Sequence, residues 1–456
     1  MKPPISPMSQ VRSAVPGIAW PPISYGEAAN LVAMVRQLED SQWLDPDVLA
    51  ERQFAQLAHV VGHAHAHSAH FRGRLEAAGL TPDDLCSPVD LSRLPVLRRR
   101  DLQSAHGLFC DQVPEGHAPL SEGRTSGSTG EPVVVRRSAV NLFDLAALSV
   151  RQHLWQGEDP KGRFCAIRAN VPELKRYSSW RGGIALLFET GPSLSIPITT
   201  DIDAQIELLI EFAPQSLLIY PSNLAALART CAERGVALPG LKHIRTIGET
   251  LSPAVRGEAM RVFGARVSDG YSSEEVGYIA LECPDSPLHH VMAETLIVEV
   301  LDDEGAPCRE GEVGRVTVTD LRNFATPLIR YDIGDYAEVG PRCPCGRGLP
   351  TLRRILGRER HLIRMPDGTR HWPLVGFRDF REIAPIRQYQ LVQDGPESIE
   401  VRLVTERWLT AREEAALTAH VQASLGHPFA LRLTYFEGRI PPGANGKFEE
   451  FICAIA

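Results

Sequence analysis

Apolar residues recur at helical spacing from Ala28 to Ala78, most clearly in the stretch LAERQFAQLAHVVGHAHAHSAHFRGRLEAAGL, and Gly79 stands where a helix would end. Residues 1–25, rich in Pro and Ser, predict an arm instead. Further along, short apolar runs alternate with helical stretches. FCAIRA, SLSIPI, SLLIYP, HIRTIGE and ARVSDGY read as strands, and DIDAQIELLIEF, SNLAALARTCAERG and SPAVRGEAMRVFG between them read as helices. That alternation predicts α/β layers around a parallel sheet. The texture changes at Ala293: ETLIVEVLD, GEVGRVTVTDL and DYAEVG are short strands with Gly and Asp turns. After Gly357 an amphipathic stretch, LTAREEAALTAHVQASLG, is flanked by ESIEVRLV and FALRLTYF, a small α+β domain of about 100 residues. The predicted fold is therefore α/β. It has a large N-terminal domain, 1–356, with parallel sheet layers and a β-rich subdomain, and a small α+β C-terminal domain, 357–456.

Composition narrows the classes of function. A chain of 456 residues with 43% hydrophobic and 23% charged residues is globular and too long for one core. No run of about 18 apolar residues appears, so no membrane helix is expected. The start, MKPPISPMSQ, lacks the apolar stretch of a signal peptide, which points to the cytoplasm. A net charge of -8 argues against a broad nucleic-acid or anionic-membrane surface. Lysine is scarce: Lys2, Lys161, Lys175, Lys242 and Lys447 are all there are among 48 basic residues. The nine cysteines, an odd number, fit a reducing compartment rather than a disulfide framework. Cys86, Cys110, Cys165, Cys231, Cys308 and Cys453 are spread singly and read as small buried hydrophobes. Of His63, His65, His67 and His70, only His63 and His67 have i, i+4 spacing. With no acid beside them in sequence, they read as a solvated or groove-facing helix surface rather than a metal site.

The most informative octet is Thr125-Ser126-Gly127-Ser128-Thr129-Gly130-Glu131-Pro132. Glycines let a backbone turn tightly and bring N–H groups to an anion, and neighbouring hydroxyls add donors without charge. It is not a Walker A loop, because the lysine of that motif is missing. The octet resembles the phosphate-binding loop of the adenylate-forming superfamily, which contains acyl-CoA synthetases, peptide-synthetase adenylation domains and luciferases. Further segments resemble that family's motifs in their usual order. Gly248-Glu249 is similar to the adenine-side turn. Tyr271-Ser272-Ser273-Glu274-Glu275 resembles Y-G-x-T-E, with Tyr271 beside the adenine, Ser272 next to it and Glu275 as the magnesium-binding acid. Glu274 replaces the family's hydroxyl before that acid. Arg330-Tyr331-Asp332-Ile333-Gly334-Asp335 resembles Y-R-T-G-D, which implies that Asp335 accepts from the ribose hydroxyls. Gly357-Arg358-Glu359-Arg360 resembles the hinge motif, with Arg358 at the nucleotide and Arg360 in place of the hinge acid. Asn445-Gly446-Lys447 resembles the terminal N/S-G-K.

The segment from Leu80 to Leu102, including Leu94-Pro95-Val96-Leu97-Arg98-Arg99-Arg100-Asp101-Leu102, resembles phenylacetate–CoA ligases and their capsule-biosynthesis relatives. The resemblance covers residues 40–456. It implies ATP-dependent activation of a carboxylic acid, aromatic by the habit of the branch, to an acyl-adenylate, followed by transfer to CoA. Lys447 would lie between carboxylate and phosphate, and ATP and Mg²⁺ would be required. A mobile C-terminal lid would rotate between the two steps. Transfer to an amine or to a carrier-protein thiol is the alternative, because Arg364–Pro373 departs from the usual Gly-rich segment. Glu274 and Arg360 motivate a rival reading as a non-catalytic nucleotide-binding relative; retention of Glu275, Asp335 and Lys447 counts against it. Trp180, Arg181, Tyr220, Pro221 and Ser222 are candidates for the acid pocket. The branch often holds a zinc, and Cys283, His289, Cys343 and Cys345 offer a Cys3His set, with His290 as the rival imidazole. A monomer or homodimer is expected, with no nucleic-acid or membrane partner.

Overall fold

The computed structural model describes residues 7–104, 106–124, 133–358, 363–368, 370, 371, 380, 383–441, 448 and 450–455. The chain divides into two compact units, one of Met1–Leu251 with Glu258–Ile355 and one of Ser252–Gly257 with Leu356–Ala456. In chain order the helices are α1 Gly26–Ser41, α2 Pro46–His67, α3 Ala69–Ala77, α4 Pro88–Ser92, α5 Arg99–Ser104, α6 Ala139–Gln156, α7 Gly183–Leu187, α8 Ile202–Phe212, α9 Pro221–Arg234, α10 Pro253–Phe263 and α11 Ala411–Leu425. The strands begin with β1 Ser121–Arg124, β2 Val134–Arg137, β3 Phe164–Arg168, β4 Lys175–Tyr177, β5 Ser193–Pro197, β6 Ser216–Ile219 and β7 His243–Ile247. They continue with β8 Arg266–Ser273, β9 Gly277–Glu282, β10 His289–Val291, β11 Leu296–Leu301, β12 Val313–Asp320, β13 Tyr331–Val339 and β14 Thr351–Arg358. Beyond these come β15 Ile363–Arg364, β16 Arg370–His371, β17 Ile386–Gly395, β18 Ser398–Thr405, β19 Ala430–Tyr435 and β20 Phe451–Cys453.

One twelve-stranded sheet runs in the order β11-β12-β13-β14-β10-β9-β8-β7-β6-β3-β5-β4. The five strands read from the alternating region, β5-β3-β6-β7-β8, are its parallel half. From β8 onwards the pairing turns antiparallel, through β9, β10 and β14. The β-rich stretch expected from residue 293 is thus a continuation of the same hydrogen-bonded sheet. Short strands joined by tight turns add to an open edge by antiparallel pairing without needing a crossover helix. The second unit holds a four-stranded sheet, β19-β18-β17-β20, whose core includes Leu391, Val401, Leu403 and, from α11, Leu417 and Val421.

Helices start and stop where local chemistry allows. Ser138 caps α6 and forms a reciprocal capping box with Asn141, and Gly157 ends it in the left-handed conformation at φ 65. Gly79, at φ 64, follows α3 in the same way. His67 of α2 bonds Asp111 through Nδ1 at 2.8 Å, and His63 bonds the Gln112 carbonyl at 3.1 Å. This acid is distant in sequence and supplied by the fold. Cys110, Cys165 and Cys231 are buried as expected, but Cys86 is exposed and Cys308 and Cys453 are only half-buried. Cys86 sits on the turn before α4, where its thiol donates to the Asp83 carbonyl at 2.9 Å. Among the described residues no helix is long and apolar enough to cross a membrane.

A buried ion pair locks the helical layer to the sheet. Arg151 of α6 is 3% exposed and grips Glu294 with two bonds, 3.0 and 2.7 Å, while its Nη2 also donates to the Leu38 carbonyl at the end of α1. Ser41 adds a bond of 2.8 Å to the same carboxylate. Burial alone would raise the Glu294 carboxyl, but the charge and hydrogen bonds of Arg151, with Ser41, hold it below the usual carboxylate range. Removing one partner strands a charge in a place water does not reach. Arg151→Met should therefore cost about 3–5 kcal/mol of unfolding free energy by chemical denaturation. A depressed folded-state pKa gives stability that is complete above the unfolded carboxylate pKa and is lost as pH falls through the folded one. Wild-type stability should drop on acidification below the ordinary glutamate value of 4.5, and Glu294→Gln should flatten that part of the profile.

Candidate active site

In a parallel sheet the side chains that meet ligands collect beyond the carboxyl ends of the strands. Strands β6, β7 and β8 end side by side here, so Tyr220–Ser222, Gly248–Glu249 and Tyr271–Glu275 are brought together from segments far apart in sequence. Gly248 takes φ 73, a conformation that turns the chain sharply at the end of β7. Glu249 accepts a bond of 2.9 Å from the backbone N–H of Ser222 in the first turn of α9, where the helix dipole favours a carboxylate. Along β8 the register with β9 shifts between Tyr271 and Ser272, an irregularity that re-aims the side chains beyond it.

Two carboxylates lie close to this corner. Tyr271 Oη donates to Asp335 Oδ2 at 2.9 Å, with both residues buried. Glu275 is 2% exposed, accepts a 3.4 Å bond from Tyr331 Oη and stands 3.6 Å from Arg99 Nη1. Arg99 arrives because Leu97 bonds both Arg330 O and Asp332 N, at 2.7 and 2.9 Å, so the chain before α5 runs alongside the start of β13. Glu274, exposed, is paired with Arg137 at the end of β2. The antiparallel pair β1–β2, with Arg124 opposite Val134, forms the stem of segment 125–132. A recess beside Glu275 is walled by Arg137, Asn141, Leu142, Leu145, Val276 and Gly277. The Asp144–Arg322 pair also lines it, at 3.0 Å, and burial pushes neighbouring Asp320 up to about 7.

A second cluster lies at the sulfur-bearing loops. The ligand atoms of Cys283, His290, Cys343 and Cys345 are all within 4.8 Å of one another. Cys283 and Cys343 sulfurs are 3.7 Å apart, and Cys345 Sγ lies 3.3 Å from His290 Nε2. A tetrahedral zinc with bonds of about 2.3 Å to sulfur separates its ligands by roughly 3.8 Å, so this set fits that ion. His290 Nδ1 faces the Leu349 carbonyl at 3.4 Å, which aims Nε2 inward, and burial lowers its pKa to about 4, the neutral form a metal needs. Backbone N–H groups of Asp285 and Arg347 point at Cys283 and Cys345 sulfur.

The imidazole in this cluster is His290, so His289 is corrected. Successive strand residues point to opposite faces. His289 on β10 consequently turns to Asp269, 3.7 Å away, while His290 turns to the sulfurs. Trp180 is also corrected as a pocket wall. It is 2% exposed, donates from Nε1 to the Gly162 carbonyl at 2.8 Å and packs on Phe164, so it is core. Arg181 is exposed over the Tyr177 ring. Tyr220 is buried with its hydroxyl accepting from Ala169 N–H, and none of Trp180, Arg181, Tyr220, Pro221 and Ser222 lines the recess beside Glu275. Arg358 ends β14 and belongs to the second unit. Thr125, Ser126, Gly127, Ser128, Thr129, Gly130, Arg360 and Lys447 lie outside the described residues. Sequence reasoning missed roles for Arg99, Arg137 and Tyr331. Arg99 is one of three successive arginines, and only the pairing of Leu97 with β13 shows which of them faces Glu275.

No family model matches the chain. A phenylacetate–coenzyme A ligase of Thermus thermophilus is 27% identical over 335 residues, 70% of this chain and 72% of that protein. The phenylacetate–coenzyme A ligase of Escherichia coli is 25% identical over 339 residues, 72% of this chain and 75% of that one. A solved 2-hydroxyisobutyryl-CoA ligase, in the postadenylation state with 2-HIB-AMP, superposes with a TM-score of 0.74 at 20% identity over 91% of each chain. Tyr271→Phe should leave the buried Asp335 carboxylate one donor short. A loss of about 1–3 kcal/mol in denaturant unfolding is expected.

Proposed function

We propose that this chain, which is similar to phenylacetate–CoA ligases and shares the fold of the adenylate-forming CoA ligases, is an AMP-forming acid–thiol ligase. It activates a carboxylic acid with ATP to an acyl-adenylate and passes the acyl group to CoA. The observation that carries the reading is the joining of Tyr271, Asp335 and Glu275 beside the stem of segment 125–132. Counted with that segment they represent three motifs, separated by up to about 200 positions. Attack of a carboxylate on the α-phosphate builds charge on phosphate oxygens, so the protein's part is positioning and electrostatic stabilisation. Asp335 would accept from the ribose, and Tyr271, its partner, would hold it in place while its ring lies by the adenine. Segment 125–130 would cradle the terminal phosphates, and Gly248 and Ser272 would border the nucleotide.

Glu275 is a single buried carboxylate with a cation and a hydroxyl on one oxygen. A lone carboxylate is what Mg²⁺ takes from a protein when phosphates and water supply its other ligands. Glu275 would hold the ion, which when bound neutralises phosphate charge, and Arg99 would share that work. Lys447, a compact point charge, would lie between the acid and the α-phosphate, where arginine's wide fork fits poorly. The second unit would act as the mobile lid carrying Lys447, with Arg358 at the nucleotide and Arg360 at the hinge. Cys283, His290, Cys343 and Cys345 would hold a structural zinc, in keeping with free thiols in a cytoplasmic compartment.

Pyrophosphate release that depends on a carboxylic acid, measured over a panel of aromatic and aliphatic acids with and without CoA, tests the function. Release with CoA consumption is expected. Release without CoA consumption points to an amine or carrier-protein acceptor, and no release with any acid points to a nucleotide-binding protein. Lys447→Ala should slow adenylation roughly 10²–10³-fold or more. Metal analysis of the purified protein should find about one zinc per chain. His290→Ala should lose it, and His289→Ala should retain it.

A further inference from the structure

The residue before the magnesium acid, Glu274, departs from the hydroxyl of the family this chain resembles, and the reading above gives it no role. The structure gives it a partner. Arg137 Nη2 donates both to the Glu274 carboxylate and to the Glu274 backbone carbonyl. Arg137 is the last residue of β2, so it belongs to the stem of segment 125–132. The stem is anchored on its other side through backbone: Arg136 N donates to Thr326 Oγ1 at 2.8 Å, and Asn323 Nδ2 donates to Arg136 O at 3.0 Å. The side chain of Arg137 therefore links this anchored stem to the turn that carries Glu275.

The crossing is built into β1. A Cβ placed on Gly123 would run into Arg137 Nη2 and stand 2.9 Å from its Cζ, so the guanidinium lies across the strand where a side chain would be. Gly123 does not have a positive φ, and a Cβ there would displace the Arg137 guanidinium. In the same dipeptide, Glu275 faces Arg99. Two arginines from separate segments thus hold two successive glutamates, one through its carbonyl as well as its carboxylate.

We infer that Arg137 and Glu274 are a pair of positioning residues that fixes the β1–β2 pair against the turn that carries Glu275. This rests on the ligase reading of the site. Donors aimed at phosphate and the acid that takes the metal must be held to a fraction of an ångström to act on one nucleotide. A neutral hydroxyl at position 274 would lose the charge-assisted bond that Arg137 makes with the carboxylate.

The test combines Arg137→Ala, Glu274→Ala, the double variant, Arg137→Lys and Gly123→Ala. Mg·ATP binding is read by calorimetry, pyrophosphate release by its KM for Mg·ATP and its kcat, and folding by melting temperature. Each single alanine variant should weaken Mg·ATP binding and raise its KM about tenfold, the scale of coupling between neighbouring charged side chains. The double variant should be no worse than either, Arg137→Lys should recover part of the loss, and melting temperatures should stay unchanged. Gly123→Ala should shift KM in the same direction with both charges present. Additive losses in the double variant, unchanged Mg·ATP binding, or a fall in melting temperature that tracks the KM change would overturn the pair. Wild type that binds Mg·ATP but releases no pyrophosphate defeats the ligase reading, while the binding comparison still decides the pair. Wild type that does not bind Mg·ATP defeats both.

Discussion

A carboxylate shut away from water needs a cation or a donor beside it, and much of this structure follows from meeting that need. Glu294 has Arg151, Glu158 has Arg245 at 2.9 Å, Glu299 has Arg330 at 3.0 Å, and Asp335 has the Tyr271 hydroxyl. In each case the partner comes from another segment, so each pair ties two stretches of chain that the backbone leaves apart. Arg330 shows how much one guanidinium can fasten, since it also donates to the carbonyls of Ser92 and Leu94 at 2.7 Å. Such forks suit arginine, whose planar donors reach several acceptors at once. In a chain with few lysines, arginine carries this structural duty.

The candidate site lies where the sheet changes character. The five strands β5-β3-β6-β7-β8 are parallel; from β9 the strands are antiparallel and joined by turns. Tyr271–Glu275 occupies that transition. A parallel strand delivers side chains to its carboxyl end, and a strand that then turns back at once delivers more of them to the same place. Glu274 and Glu275 are in that turn, which explains why they need bracing from Arg137 and Arg99.

The two metal proposals differ in kind. The Cys3His cluster offers a closed set of donors, and an ion held there would stitch the loop after β9 to the loop before β14. Glu275 offers one carboxylate, which leaves the remaining positions to nucleotide and water.

Periodicity alone determined most of the elements. The five parallel strands, helices α8 to α11 and the α+β character of the last 100 or so residues follow from local spacing, because a period of 2 or 3.6 is a property of neighbouring residues. The order of the motifs likewise pointed to nucleotide chemistry from sequence. What only the tertiary structure decided is which of two adjacent candidates faces the chemistry. His289 and His290 are equivalent until β10 is paired, and the pleat then sends one to Asp269 and the other to sulfur. Trp180 looked like a pocket wall until packing closed Phe164 over it. Arg99 and Arg137 were indistinguishable from their arginine neighbours until the register of Leu97 on β13 and of β2 on β1 set their direction. Sequence spacing carries the kind of element; the direction of a single side chain is set by its partners across the sheet, and those are distant in the chain.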